Sequence, residues 1–203
     1  MKIRPLSISG AWEITPVQHG DPRGLFLEWY RIDQLSAAVG HPLRLAQGNL
    51  SVSSRGVVRG LHFADTPPGQ AKYVTCVRGA VLDVIVDLRV GSPTFGQWEG
   101  VRLDDVDRRA VYLAEGLGHG FCALTDGATL TYLCSEGYNA RGEHAVHPLD
   151  PDLAIDWPAD EPQLSARDAA APSLAEASTT GLLPQFAACQ EYTAQLDARL
   201  GGQ

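Results

Sequence analysis

Between residues 3 and 135 the apolar positions fall in short runs rather than in long helical blocks. Runs rich in branched and aromatic residues occur at Trp12–Val17, Leu25–Ile32, Leu43–Ser51, Val57–Phe63, Lys72–Arg78, Ala80–Val90, Gln97–Leu103, Ala110–Leu113, His119–Leu124 and Ala128–Cys134. Turn-forming stretches separate them, among them Gly20-Asp-Pro-Arg-Gly24, Thr66-Pro-Pro-Gly69, Gly91-Ser-Pro93, Glu115-Gly116 and Thr125-Asp-Gly127. Short strands with turns every ~8–12 residues predict an all-β sandwich, jelly roll or barrel rather than alternating strand–helix units. Within residues 81–89, Leu82, Val84, Val86 and Leu88 alternate with Asp83, Asp87 and Arg89. That period of two predicts a strand with one apolar and one polar face.

Helical patterning is confined to a few places. Ile32–Val39 is expected to form a helix that Gly40 ends. Residues 139–172, rich in Pro and Asp, read as loop. Beyond Pro172, "SLAEASTTGLL" and "PQFAACQEYTAQLDARL" have helical composition and predict two short C-terminal helices. No repeat, low-complexity tract or linker breaks the chain, so one domain over 1–203 is expected, with 173–199 as a helical appendage.

Composition narrows the function. The 203 residues are 44% hydrophobic and 20% charged, the balance of a globular domain with a real core. No run approaches the ~18 apolar residues of a membrane span, because Asp83 and Asp87 interrupt the best stretch. The N-terminal "MKIRPLSISG" lacks an apolar signal core. Cys76, Cys122, Cys134 and Cys189 form no C-x-x-C pair and read as reduced thiols of a cytoplasmic protein. The net charge of −8 argues against nucleic acid as a partner. A small anion held by local cations stays compatible with it. Fourteen arginines stand against two lysines, Lys2 and Lys72, which makes the mid-chain Lys72 an informative residue.

Four stretches could carry chemistry. In "RGVVRGLH" (55–62) a strand-like run holds Arg55, Arg59 and His62. Taken alone, His62 fits a hydrogen-bonded structural role as well as a chemical one. Arg59 and His62 have opposite parity, and a kink or bulge at Gly60 would aim both at one cavity. "EGLGHGF" (115–121) places His119 in a glycine-rich strand start. Tyr132 and Tyr138 lie in "TYLCSEGY", either core residues or phenolic proton donors. "LSARD" (164–168) ends in a carboxylate that signals nothing by itself. The six histidines show no H-x-H or H-E-x-x-H, so no protein-bound metal is expected. Phosphate-cradling glycine motifs and the G-x-S-x-G nucleophile turn are also missing from the sequence, leaving arginine side chains to hold any phosphate.

Taken in order, these pieces resemble one family. "DPRGLFLEWY" (21–30), "QGNLSVS" (47–53), "GVVRGLHF" (56–63), "GQAKYV" (69–74), "LDVIVDLRVGSPTFGQWEGVRL" (82–103), "EGLGHGF", Tyr132, Tyr138, "DWP" (156–158) and "LSARDAAAP" (164–172) are similar to the dTDP-4-dehydrorhamnose 3,5-epimerases. The likeness runs from about residue 5 to 185. "TPPGQAKY" and "GLLPQF" look most like the antibiotic deoxysugar enzymes, including the 3-epimerase branch exemplified by novobiocin sugar biosynthesis. The resemblance implies a cupin jelly-roll β-barrel with an N-terminal strand extension, a homodimer, and no metal or other cofactor. The implied substrate is a dTDP-4-keto-6-deoxyhexose, epimerised at C3 with or without C5.

By the same resemblance His62 is the base and Asp168 its partner, Lys72 stabilises the enolate oxygen, and Tyr132 donates the returning proton, with Tyr138 as second candidate. Arg23, Phe26, Glu28, Gln47, Gly48, Asn49, Arg59, His119, Glu143 and Arg167 match substrate-contacting positions, Arg23 and Arg59 for the pyrophosphate and Phe26 for the thymine. The chain departs from the family at Gly48, Ala64, Ala114 and Arg167, where Asp, Gln, Pro and Lys are common; these differences bear on regiochemistry. The rival readings are a cupin-type 3,4-keto-isomerase on the same nucleotide sugar and a non-catalytic cupin that only binds it.

Overall fold

The structure is a computed structural model that describes residues 1–198. Four short strands come first: β1 (Lys2–Pro5), β2 (Ala11–Thr15), β3 (Gln18–Asp21) and β4 (Gly24–Leu27). Helix α1 (Ile32–Val39) follows as expected, and Gly40 closes it in the left-handed conformation at φ 101°. Next are β5 (Gln47–Ser53), β6 (Val58–Ala64), β7 (Lys72–Arg78), β8 (Ala80–Val86), β9 (Trp98–Asp104), β10 (Ala110–Leu113), β11 (Gly118–Ala123), β12 (Ala128–Cys134) and β13 (Glu143–Ala145). The chain then forms α2 (Ala166–Ala169), α3 (Leu174–Thr179) and α4 (Phe186–Ala198). Residue 199, the expected end of the helical appendage, lies outside the described residues.

Two antiparallel sheets face each other, in the order β1-β2-β10-β7-β12-β5 and β13-β6-β11-β8-β9. Sequence neighbours are repeatedly placed in opposite sheets, which makes the pair a jelly roll. One end of the space between them is filled by Val74, Cys76, Val81, Ile85, Val111, Leu113, Phe121 and Leu130. On the outer side of the five-stranded sheet, Val84, Val86 and Leu88 pack against Trp157, Leu174 and Leu183 of the C-terminal segments. β3 and β4 pair only with each other and form a separate hairpin.

Several expectations are corrected. The expected strand at Leu25–Ile32 stops at Leu27, and the one at Leu43–Ser51 begins only at Gln47. The run over Ala80–Val90 ends at Val86 because Asp87 starts a buried polar turn. Its carboxylate accepts the Arg89 backbone N–H at 3.0 Å, Arg89 Nε at 2.8 Å, Ser92 Oγ at 2.6 Å and Thr94 Oγ1 at 2.7 Å. The polar residues of the alternating run, Asp83, Asp87 and Arg89, are all buried. Both faces of β8 are covered, one by the C-terminal segments and the other by the opposite sheet. Residues 139–172 are not wholly loop, since they contain β13 and α2. The four cysteines are free and buried. Among the described residues no helix is long and apolar enough to cross a membrane.

Candidate active site

The end of the barrel opposite the apolar plug is a cavity of about 350 Å³. The alternation of each strand decides which side chains reach it. On β5, Gln47, Asn49 and Ser51 point inward; on β7 and β12, Lys72 and Tyr132 do; on β11, His119 does. The loop after β12 brings Tyr138 to the rim, and β13 and α2 add Glu143 and Arg167.

Arg59 and His62 also line this cavity, so the expected kink exists. His119 pairs with His62 and Phe121 with Arg59, so β6 uses one residue more than β11 over the interval, a β-bulge. Gly60 is at the bulge with φ 129°, and a Cβ there would lie 2.6 Å from Gly120 Cα and 2.8 Å from the His119 carbonyl oxygen. Only glycine fits both the backbone angle and the close approach of β11. Arg59 is steadied by its Nε, which donates to Ser53 Oγ at 3.0 Å. Arg55 lies outside the cavity, where its backbone N–H donates to Asp126.

His62 Nε2 and Asp168 Oδ1 are 2.8 Å apart. The short helix α2 presents the carboxylate: Ser165 caps it by accepting the Asp168 N–H, and Arg167 donates to the Glu143 carbonyl oxygen. Burial would raise the Asp168 carboxyl, but the hydrogen bond and charge of His62, with Ser165 and the Gly60 backbone, outweigh it and hold its pKa below the usual value. Lys72 shifts the other way for a cation. Desolvation pulls its ammonium below the usual lysine range, against the attraction of Cys134, Glu143 and Asp83. No hydrogen bond is formed by Lys72 Nζ among the described residues, so its donors are available to a ligand. Burial raises the Tyr132 phenol, with Cys134 adding to the rise and Arg59 opposing it, so its proton is retained at neutral pH.

Eleven of the fifteen residues singled out in the sequence gather here. Ten line the cavity and Asp168 backs His62. Four do not. Gly48 faces the outer side of the six-stranded sheet, as its parity between Gln47 and Asn49 requires. Arg23 and Phe26 lie on the β3–β4 hairpin, the Arg23 side chain 90% exposed and Phe26 66% exposed. Glu28 follows that hairpin and pairs with Arg31. The structure also adds residues not expected at the site: Ser51, Gln70 and Phe121 line the cavity, and Asp83 bonds His119 from behind. Asp83 was legible as the polar member of an alternating strand, and Gln70 stands two residues before Lys72. Ser51 and Phe121 lie within the "QGNLSVS" and "EGLGHGF" stretches, but no feature of either residue type singled it out there.

A jelly-roll barrel whose polar mouth holds a histidine–carboxylate pair, a desolvated lysine and two tyrosines has the parts of a proton-transfer enzyme of the cupin class. The chain belongs to the dTDP-4-dehydrorhamnose 3,5-epimerase family, whose model matches residues 5–176. It is 68% identical over 193 residues to a dTDP-4-dehydrorhamnose 3-epimerase of Streptomyces niveus, covering 95% of this chain and 93% of the relative. The fold superposes with a TM-score of 0.93 on NovW, a 4-keto-6-deoxy sugar epimerase from the novobiocin cluster of Streptomyces spheroides. That structure is 69% identical, over 94% of this chain and 96% of the other. A TM-score of 0.93 is also found with ChmJ, a 3'-monoepimerase from Streptomyces bikiniensis in complex with dTDP-quinovose. There the identity is 55%, over 96% of this chain and 98% of the other.

Proposed function

We propose that this protein inverts C3 of a dTDP-linked 4-keto-6-deoxyhexose, dTDP-4-dehydro-6-deoxyglucose, in the making of a deoxysugar for a natural product. One observation carries the reading: His62 stands on the five-stranded sheet and Tyr132 on the six-stranded sheet, across a common cavity. A sugar ring between the sheets meets a base on one face and an acid on the other, as inversion requires.

The 4-keto group acidifies the proton on C3. With Nε2 committed to Asp168, His62 takes that proton at Nδ1, and the C–H electron pair becomes the C3–C4 double bond of an enolate. Asp168 balances the imidazolium that forms. Lys72 holds the enolate oxygen, and a preorganised cation in a dry site is worth far more than in water. Tyr132 then delivers its proton to C3 from the opposite face. Arg59 is suited to the pyrophosphate, and Gln47, Asn49, Glu143, His119 and Arg167 to other polar groups of the substrate. Tyr138 at the rim is the second phenol within the site. No step calls for a metal or other cofactor.

The substrate site is completed by a second copy of the chain. The β3–β4 hairpin stands apart from both sheets with Leu25 and Phe26 exposed, and β5, an edge strand, exposes Leu50 and Val52. A homodimer that lays the hairpin of one copy against the cavity mouth of the other covers these side chains. Arg23, Phe26 and Glu28 then reach the nucleotide. The chain acts as one domain, and its four free thiols suit a cytoplasmic enzyme.

Incubation with dTDP-4-keto-6-deoxyglucose in D₂O, followed by NMR, tests the reading. Deuterium at C3 alone is expected. Label at C3 and C5 would show double epimerisation, and no label at either carbon would overturn the enolate mechanism.

A further inference from the structure

Two histidine–carboxylate pairs open onto the cavity, and the mechanism above uses only one. His119 is the cross-strand partner of His62. Its Nε2 lies 2.9 Å from Asp83 Oδ2. Asp83 is on β8 opposite Phe121, two residues beyond His119 on the same face of β11, so the pair bridges the diagonal of two adjacent strands. The residue is 0% exposed, and its second oxygen, Oδ1, is buried without a hydrogen-bond partner among the described residues. Taking a carboxylate out of water is costly unless a cation answers it, and a barrel interior is filled at less cost by apolar groups. The neighbours of Asp83 on its own face, Val81 and Ile85, are such groups. The one side chain Asp83 bonds is a ring that lines the cavity and keeps its other nitrogen, Nδ1, unbonded among the described residues.

We infer that Asp83 is a positioning residue that commits His119 Nε2 and so aims Nδ1 at the substrate's carbonyl oxygen, as a second donor beside Lys72. Both ring nitrogens then donate, with Asp83 as the counter-charge. When the C3–H pair moves into the ring, the developing enolate oxygen accepts from His119 Nδ1–H and from Lys72. No proton leaves His119, so the balance of the step is unchanged. This role rests on the epimerase reading above.

The test compares wild type, Asp83→Asn, His119→Ala and the double variant in the C3 exchange assay with dTDP-4-keto-6-deoxyglucose in D₂O. Asp83→Asn should lower kcat about 100-fold with little change in KM, the pattern of a lost oxyanion donor. In the His119→Ala background, Asp83→Asn should cost nothing further. Nitrogen-15 NMR of the wild-type ring, assigned through His119→Gln, should show Nδ1 protonated when the 4-keto sugar is bound. That measurement does not depend on the Asp83 variant folding. A wild-type kcat for Asp83→Asn, an undiminished loss in the His119→Ala background, or an unprotonated Nδ1 in the complex would each overturn the inference. Absence of exchange in the wild type would instead remove the epimerase reading on which it rests.

Discussion

Arg59 and His62 enter the same cavity although a regular strand would send them to opposite faces, and the bulge at Gly60 is what joins them. A methyl group at residue 60 would meet the backbone of β11 at 2.6 Å and 2.8 Å. Gly60→Ala is therefore expected to cost about 3 kcal/mol of stability, from backbone strain and overpacking together. Displacement of Arg59 and His62 by about 1 Å should lower kcat/KM by about 100-fold. Urea unfolding and C3 exchange measure the two effects separately.

Asp168→Asn keeps the shape of the His62 partner and removes its charge. The imidazolium then lacks its counter-ion, and the orienting hydrogen bond is weakened. The exchange rate at C3 should fall by about 10²–10⁴-fold while affinity for dTDP changes little. Equal exchange rates for the two proteins would count against the dyad.

Lys72 must be protonated to hold an enolate oxygen. Burial lowers its pKa from the ordinary 10.5, so the alkaline fall in kcat/KM is expected below that pH. Glu143 is one of the anions that oppose the lowering. Glu143→Gln should accordingly move the alkaline limb to still lower pH. A limb that stays in place or moves upward would show that it does not report Lys72.

Asp87 bears on stability rather than chemistry. Burial would raise its carboxyl, but hydrogen bonds from Arg89, Ser92 and Thr94 outweigh this and keep its pKa below the ordinary 3.8. A depressed carboxyl stabilises the fold above its unfolded pKa and loses that contribution as the pH falls through its folded value. Asp87→Ala should therefore cost about 3 kcal/mol at pH 7, the usual effect of stranding one partner of a buried pair. The difference from wild type should shrink in strong acid, as followed by urea unfolding across pH.

The proposed homodimer is checked by sedimentation. Phe26→Asp places a charge on the exposed hairpin. It should shift the protein toward monomer and weaken dTDP binding about tenfold or more, the scale of losing an aromatic anchor. A variant that stays dimeric with unchanged affinity would remove the hairpin from the site.

Much of the barrel was legible in the chain. The strands Lys72–Arg78, Ala110–Leu113 and Ala128–Cys134 end where they were expected, because turn residues border dense branched and aromatic runs. β3 is Gln-His-Gly-Asp and β13 is Glu-His-Ala, with almost no apolar content; pairing with a neighbouring strand is what makes them strands. Asp83 is legible as the polar member of an alternating strand, but alternation does not say whether that face meets solvent or, as here, a barrel interior that turns polar toward its mouth. Family motifs brought Gly48 into the candidate set, whereas simple parity separates it from Gln47 and Asn49. Conversely, parity alone could not have joined Arg59 to His62 without the glycine between them.

The division of His62 and Tyr132 between two sheets has a consequence for how such enzymes can diverge. In the proposed mechanism the handedness of proton return is written into the sandwich: one wall takes and the other gives, whatever carbon lies between them. Selectivity for a sugar, or for a particular carbon, depends instead on how the rim seats the ring. Rim residues can therefore drift toward new sugars while the stereochemical outcome is inherited intact with the architecture.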